Sequence, residues 1–108
     1  MKFIAFGKYS NSAFSGFIAN PEQDRKVIVS TMMSKAGGEL EDFYLTRGEF
    51  DFVAIGTVNK FETLGAVKMV ALASGAFSEL EALEVTDFNE IAKKAASIMN
   101  SYKAPDAT

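Results

Sequence analysis

The 108-residue sequence predicts an α+β fold, with one four-stranded antiparallel sheet in the element order β-α-β-β-α-β and an extra C-terminal helix. Three observations predict it. Runs rich in aromatic and β-branched residues alternate with segments that carry helix-capping signals. The first and third of these runs are apolar throughout, whereas the second and fourth carry the acidic residues. Finally, the junction Ala36-Gly37-Gly38-Glu39-Leu40 is echoed by Ser74-Gly75-Ala76-Phe77-Ser78-Glu79-Leu80, so two βαβ-like halves follow one another. This is the ferredoxin-like split βαβ pattern. The expected organisation is a single domain over residues 1–103 and a short tail over 104–108.

Phe3 to Tyr9 reads as the first strand, bounded by Ser10-Asn11-Ser12, which also cap a short helix from Ala13 to Ala19. Asn20-Pro21-Glu22-Gln23 then reads as a capping box that opens a second helix, with Asn20 at the N-cap and Pro21 at the first helical position. That helix presents Val29, Met32, Met33 and Ala36 on one side and stops at Gly37-Gly38. Leu40 to Arg47 and Phe50 to Val58 form a hairpin linked by Gly48-Glu49. Asn59-Lys60-Phe61-Glu62 is a second capping box, opening a helix that ends at Gly75. Phe77 to Val85 is the fourth strand. Asp87-Phe88-Asn89-Glu90 caps a last helix with Phe88, Ile91, Ala95, Ile98 and Tyr102 on one face.

Split βαβ topology puts the second and fourth strands at the sheet edges, and the charges agree. Glu39, Glu41 and Asp42 lie on one and Glu79, Glu81 and Glu84 on the other. Charged edges resist pairing with other chains. The central runs Phe3-Ile4-Ala5-Phe6 and Phe52-Val53-Ala54-Ile55 are apolar on both faces, yet helices in so short a chain cover only one. At about 25 cal/mol per Å2, an uncovered apolar face forfeits several kcal/mol. A homodimer packed sheet to sheet is therefore expected, a dimeric α/β barrel.

Composition excludes many chemistries. The chain has no Cys, no His and no Trp. Without Cys there is no disulfide frame, thiolate nucleophile or sulfur-ligated metal, and without His the usual general base and the usual haem and zinc ligand are gone. Haem degradation through an axial His is excluded with them. No cofactor and no metal are expected. A formal charge of −3 with no basic cluster makes a poor nucleic-acid binder. No apolar run approaches the roughly 20 residues of a membrane span, and the N-terminus lacks the apolar stretch of a signal peptide, so a cytoplasmic protein is expected.

The strand opening Phe3-Ile4-Ala5-Phe6-Gly7-Lys8-Tyr9, the stretch Asn20-Pro21-x-x-Asp24-Arg25, the segment Phe43-Tyr44-x-x-x-Arg47-Gly48-Glu49-Phe50-Asp51 and the helix end Ala71-Leu72-Ala73-Ser74-Gly75-Ala76 together resemble the GYD domain family. The similarity runs from about Phe3 to Ile91. It implies membership of the dimeric α/β-barrel proteins, and so the sheet-to-sheet dimer, and it implies a fold more than a function. The Tyr of the family's Gly-x-Tyr-Asp signature is Phe50 here, so a phenol at that position is not essential to this chain.

Tyr9, Tyr44, Arg47 and Asp51 are the candidate ligand-binding residues. Tyr hydroxyls with an Arg guanidinium can hold a carboxylate or phenolate or polarise a carbonyl, and Asp51 can act as a base or a ligand contact at the barrel mouth. Each also has a purely structural reading: tyrosines packed with wet hydroxyls, Arg47 paired with Glu49 or Asp51, and Asp51 bonding turn amides beside Gly48. The pairs Glu39/Glu41 and Glu79/Glu81 read as edge protection before cation binding. Three functions fit these residues. One is a homodimeric small-molecule-binding or regulatory module for an apolar or aromatic ligand. Another, argued from fold alone, is a cofactor-free monooxygenase or isomerase acting on a small aromatic or lactone substrate. The third is a structural interaction dimer.

Overall fold

The computed structural model describes residues 1–105; residues 106–108, most of the expected tail, lie outside the described residues. The elements are β1 (Lys2–Tyr9), α1 (Asn11–Ala19), α2 (Arg25–Ala36), β2 (Gly38–Leu45), β3 (Phe52–Val58), α3 (Phe61–Ala73), β4 (Phe77–Glu84) and α4 (Phe88–Ile98), followed by a 3-10 turn over Met99–Ser101. The four strands form one antiparallel sheet in the order β2-β3-β1-β4, so the acidic strands are the edges. This is the ferredoxin-like α+β arrangement, with α1 as an additional short helix before α2.

Register decides which side chains meet the helices. Phe3 pairs with Gly56 and Ala5 with Ala54, and Phe3, Ala54 and Val58 join Met33 of α2, Leu40 of β2 and Leu64 of α3 in the core. The intervening residues Ile4 and Phe6, opposite Ile55 and Val53, point to the other face. Leu83 of β4 pairs with Ile4, and Tyr44 of β2 pairs with Val53; both are more than half exposed. Phe50 extends this face, its ring edge-on to Phe6 at 4.8 Å. The helices thus cover one face, and a band of aliphatic and aromatic side chains is left on the other.

Gly7 shows how tightly the central strand is held. It is buried between β3 and β4, and a Cβ there would collide with the main-chain carbonyl of Glu79, where β4 shifts register against Lys8 and Tyr9. Backbone cannot retreat as a flexible side chain can. Gly7→Ala is expected to destabilise the fold by about 2 kcal/mol, read as a lower urea midpoint with an unchanged m-value. Gly37 is the other glycine with a conformational reason: at φ +91° it ends α2, its N–H donating to the carbonyls of Met33 and Ser34.

Three local expectations are corrected. Asn20 and Pro21 do not open α2. The N–H of Asn20 closes α1 on the carbonyl of Gly16, and Asp24 is the N-cap of α2, its carboxylate accepting from the Val27 N–H at 3.2 Å. The capping box at Asn59 does not form either. Lys60 occupies the N-cap of α3 with no side-chain cap bond, and Asn59 Oδ1 instead accepts from Thr63 Oγ1. The hairpin loop is longer than Gly48-Glu49, because β2 ends at Leu45 and β3 begins at Phe52. Its ends are tied by Thr46 N–H to the Asp51 carbonyl at 2.9 Å and by Asp51 N–H to the Gly7 carbonyl at 2.8 Å. Arg47 accordingly lies in this loop and not in a strand.

The last helix forms where the capping signal puts it, with Asp87 Oδ1 accepting from the N–H groups of Asn89 and Glu90. Every residue of α4 is exposed, Phe88 at 80%. Its substantial packing is confined to the 3-10 turn that follows it. The described chain extends 66 Å along its longest axis, with a radius of gyration of 18.5 Å against about 13 Å for a compact domain of this length. No helix among the described residues is long and apolar enough to cross a membrane.

Candidate functional site at the end of the first strand

The strongest concentration of aromatic side chains lies on the helix face where β1 ends. Tyr9 is 5% exposed there. Its ring meets Phe17 edge-on at 4.9 Å and Phe14 at 6.0 Å, both from α1, and packs on Phe52 at 5.1 Å and Phe77 at 5.3 Å. Backbone ties hold it in place. The Tyr9 N–H donates to Asp51 Oδ2 at 2.9 Å, the Ser10 N–H to the Ala76 carbonyl at 2.9 Å, and Ser10 Oγ to the Gly75 carbonyl at 2.6 Å. The hairpin loop and the α3–β4 turn therefore both clamp the end of β1.

Asp51 has a structural role at this point: it terminates the β1 edge of the loop by accepting a backbone proton. Asp51→Ala is expected to cost about 1–2 kcal/mol of stability, measured by urea unfolding, because it strips a charge-assisted bond from a part-buried N–H.

Arg25, the first residue of α2, lies beside Tyr9. Its Nη1 donates to Gln23 Oε1 at 3.1 Å, and the guanidinium sits 5.7 Å from the centre of the Phe17 ring. No carboxylate among the described residues comes within ion-pairing distance of it. The Tyr9 hydroxyl and Arg25 Nε are both buried and neither has a hydrogen-bond partner. They lie close to each other, short of a well-formed hydrogen bond. Burial pushes the Tyr9 phenol above its ordinary pKa; the charge of the neighbouring Arg25, and its N–H groups facing the phenol oxygen, draw it part of the way back, and Asp51 adds a smaller upward push.

A cavity of about 160 Å3 opens here, lined by Tyr9, Ala13, Gly16, Phe17, Gln23, Arg25 and Ala76. Arg25 and Ala76 also line a neighbouring cleft of about 170 Å3 between α2 and α3, whose walls include Ile28, Met32, Val70 and Phe77. A smaller apolar cavity of about 60 Å3 lies in the core between sheet and helices.

The four residues singled out from sequence are thus split. Tyr9 and Asp51 come together at the end of β1. Tyr44 is 53% exposed on the opposite face of the sheet, and Arg47 is exposed in the hairpin loop. The arginine that accompanies Tyr9 is Arg25, which sequence reading passed over. One signal for it existed. Asp24 is as good an N-cap residue as Asn20, and choosing it puts Arg25 at the first position of a helix, where a cation is electrostatically unfavourable and so calls for another reason. The edge carboxylates pair with lysines: Glu41 with Lys2 at 3.7 Å and Glu79 with Lys8 at 3.6 Å. No cluster of three or more acidic side chains suited to a metal ion occurs among the described residues.

Sheet order, the clamped strand end and its aromatic box define a ferredoxin-like α+β domain with a small pocket at one end of the sheet. The GYD domain family model matches residues 3–95, most of the chain, and the protein belongs to that family. No curated protein matches the sequence.

Proposed function

We propose that the protein is a homodimeric small-molecule-binding module. The observation that carries the binding role is the pocket at the end of β1, where two buried polar groups, the Tyr9 hydroxyl and Arg25 Nε, form no hydrogen bond with the described residues. Buried polar groups are nearly always satisfied, and leaving one unsatisfied costs about 1–3 kcal/mol. A fold that keeps two of them side by side in an otherwise apolar pocket suits a ligand that supplies the missing bonds. The dimer rests on the uncovered band of Ile4, Phe6, Val53 and Ile55, continued by Leu83, which a second sheet would bury.

Asp51 is not among the residues lining the pocket, and its Oδ2 accepts from the Tyr9 N–H, so the binding role fits these residues better than acid–base turnover by Asp51. Native mass spectrometry of freshly purified protein tests both parts at once. The expected species has twice the 11.7 kDa chain mass and carries a small-molecule adduct that is lost in the Tyr9→Phe, Arg25→Gln double variant. A bare monomer at micromolar concentration would refute the proposal.

A further inference from the structure

We infer that the Tyr9–Arg25 pocket takes a small carboxylic acid with an apolar body, bound as its carboxylate; this rests on the binding-module reading above and names the ligand class. The unmet groups decide the chemistry of the ligand. An arginine Nε–H is only a donor, and the Tyr9 hydroxyl has a proton with no acceptor. Of the side-chain acceptors lining the cavity, Gln23 Oε1 is already taken by Arg25 Nη1, and the Tyr9 oxygen faces the Arg25 donor and leaves its own proton unmatched. The pocket is short of acceptors, so its ligand presents oxygens without protons.

Charge points the same way. Arg25 has no ion-pair partner among the described residues, and it stands at the first position of α2, a 12-residue helix with no acidic residue in its first turn. The Asp24 carboxylate already caps the helix through the Val27 N–H but forms no ion pair with Arg25, so the guanidinium charge is left for an anion in the pocket. A planar guanidinium edge matches a carboxylate, and the raised Tyr9 pKa keeps the phenol a proton donor through neutral pH.

The walls fix the rest of the molecule. Ala13, Gly16 and Phe17 leave no further polar group for a second ionic head, and the cleft sharing Arg25 continues between Ile28 and Phe77. The carboxylate therefore sits at Arg25 and Tyr9, with a ring or short chain running into the apolar cleft.

Isothermal titration with benzoate and hexanoate, their uncharged counterparts benzyl alcohol and hexanol, and inorganic phosphate tests the assignment. The acids are expected to bind at least about tenfold more tightly than the alcohols and than phosphate. Arg25→Gln is expected to lower acid affinity at least about tenfold and alcohol affinity by much less, and Tyr9→Phe to lower acid affinity about threefold to tenfold. Arg25→Lys, which keeps the charge without the fork, serves as a second variant should Arg25→Gln fold poorly; it is expected to retain only part of the affinity. Acids and alcohols binding equally well, phosphate binding best, or Arg25→Gln and Arg25→Lys both binding acids like the wild type would overturn the carboxylate class and leave the binding module standing. No binding by any probe, with no adduct in the native spectrum, would remove both.

Discussion

Ile4→Lys is expected to turn a dimer into a monomer while leaving the fold of each chain intact. Ile4 lies at the centre of the uncovered face, between Ile55 on one side and Leu83 on the other. It is not part of the core cluster, and lysine keeps a four-carbon stem on the same pleat. In an isolated chain the change therefore costs at most about 1 kcal/mol. In a sheet-to-sheet dimer the same position is buried twice, once per chain. Ile4 is already partly buried in the single chain, so each copy loses at most about 1 kcal/mol of further apolar burial, and drawing the lysine ammonium out of water brings the cost to about 1.5–3 kcal/mol per copy. The sum of about 3–6 kcal/mol corresponds to a dissociation constant raised by roughly 10²- to 10⁴-fold. Light scattering at micromolar concentration reads the mass, and circular dichroism confirms that the monomer keeps its secondary structure. A wild-type monomer, or an Ile4→Lys variant with unchanged mass, would remove the sheet-to-sheet dimer.

The amphipathic face of α4 bears on the same experiment. Phe88, Ile91 and Ile98 are exposed, and the helix holds no substantial contact with the sheet or with α1, α2 or α3. The helical spacing of these residues was legible in the sequence, because periodicity alone reports that a helix has one apolar side. What that side packs against is a tertiary fact. Periodicity cannot carry it.

The same division runs through the rest of the fold. β1 was legible to within one residue, because Phe3 to Tyr9 contains aromatic and β-branched residues bounded by turn formers, and the acidic residues of β2 and β4 identified the edges correctly. Helix starts were legible only where a single cap residue was available. Asp87 had no rival and its cap formed; Asn20 and Asp24 were both acceptable locally, and closure of α1 claimed Asn20. The candidate site followed the same rule. Tyr9 reads as a strand-end residue and Asp51 as a turn residue beside Gly48, and the Tyr9 N–H donating to the Asp51 carboxylate joins them. Tyr44 reads as a residue within the second strand, and strand alternation turns it to the other face. Arg25 reaches Tyr9 only through the tertiary placement of the start of α2 near the Phe17 ring of α1, which no local pattern encodes.

Tyr9→Phe and Tyr9→Ala are expected to move stability in opposite directions. The ring is nearly fully buried among Phe14, Phe17, Phe52 and Phe77, so Tyr9→Ala opens a large cavity at the junction of α1 with the sheet and costs about 3–5 kcal/mol. Tyr9→Phe keeps the ring and removes only a buried hydroxyl that has no partner. Loss of that desolvation penalty makes the unliganded variant more stable, by about 1 kcal/mol. The pH dependence separates this from a packing effect. The folded-state phenol has a raised pKa because burial disfavours its charged form, a rise that Arg25 partly offsets and Asp51 reinforces. Above about pH 10 the unfolded chain releases the Tyr9 proton while the folded chain retains it. The unfolded state then binds fewer protons, so the stability present below that pH falls as pH rises towards and through the folded-state pKa. Urea midpoints at about pH 9 and about pH 11 are therefore expected to differ more for the wild type than for Tyr9→Phe, since only the wild type has the buried phenol. Equal differences for the two proteins, or a Tyr9→Phe variant less stable than wild type without ligand, would mean that the hydroxyl is already satisfied in the folded chain. The pocket would then offer a ligand nothing at Tyr9.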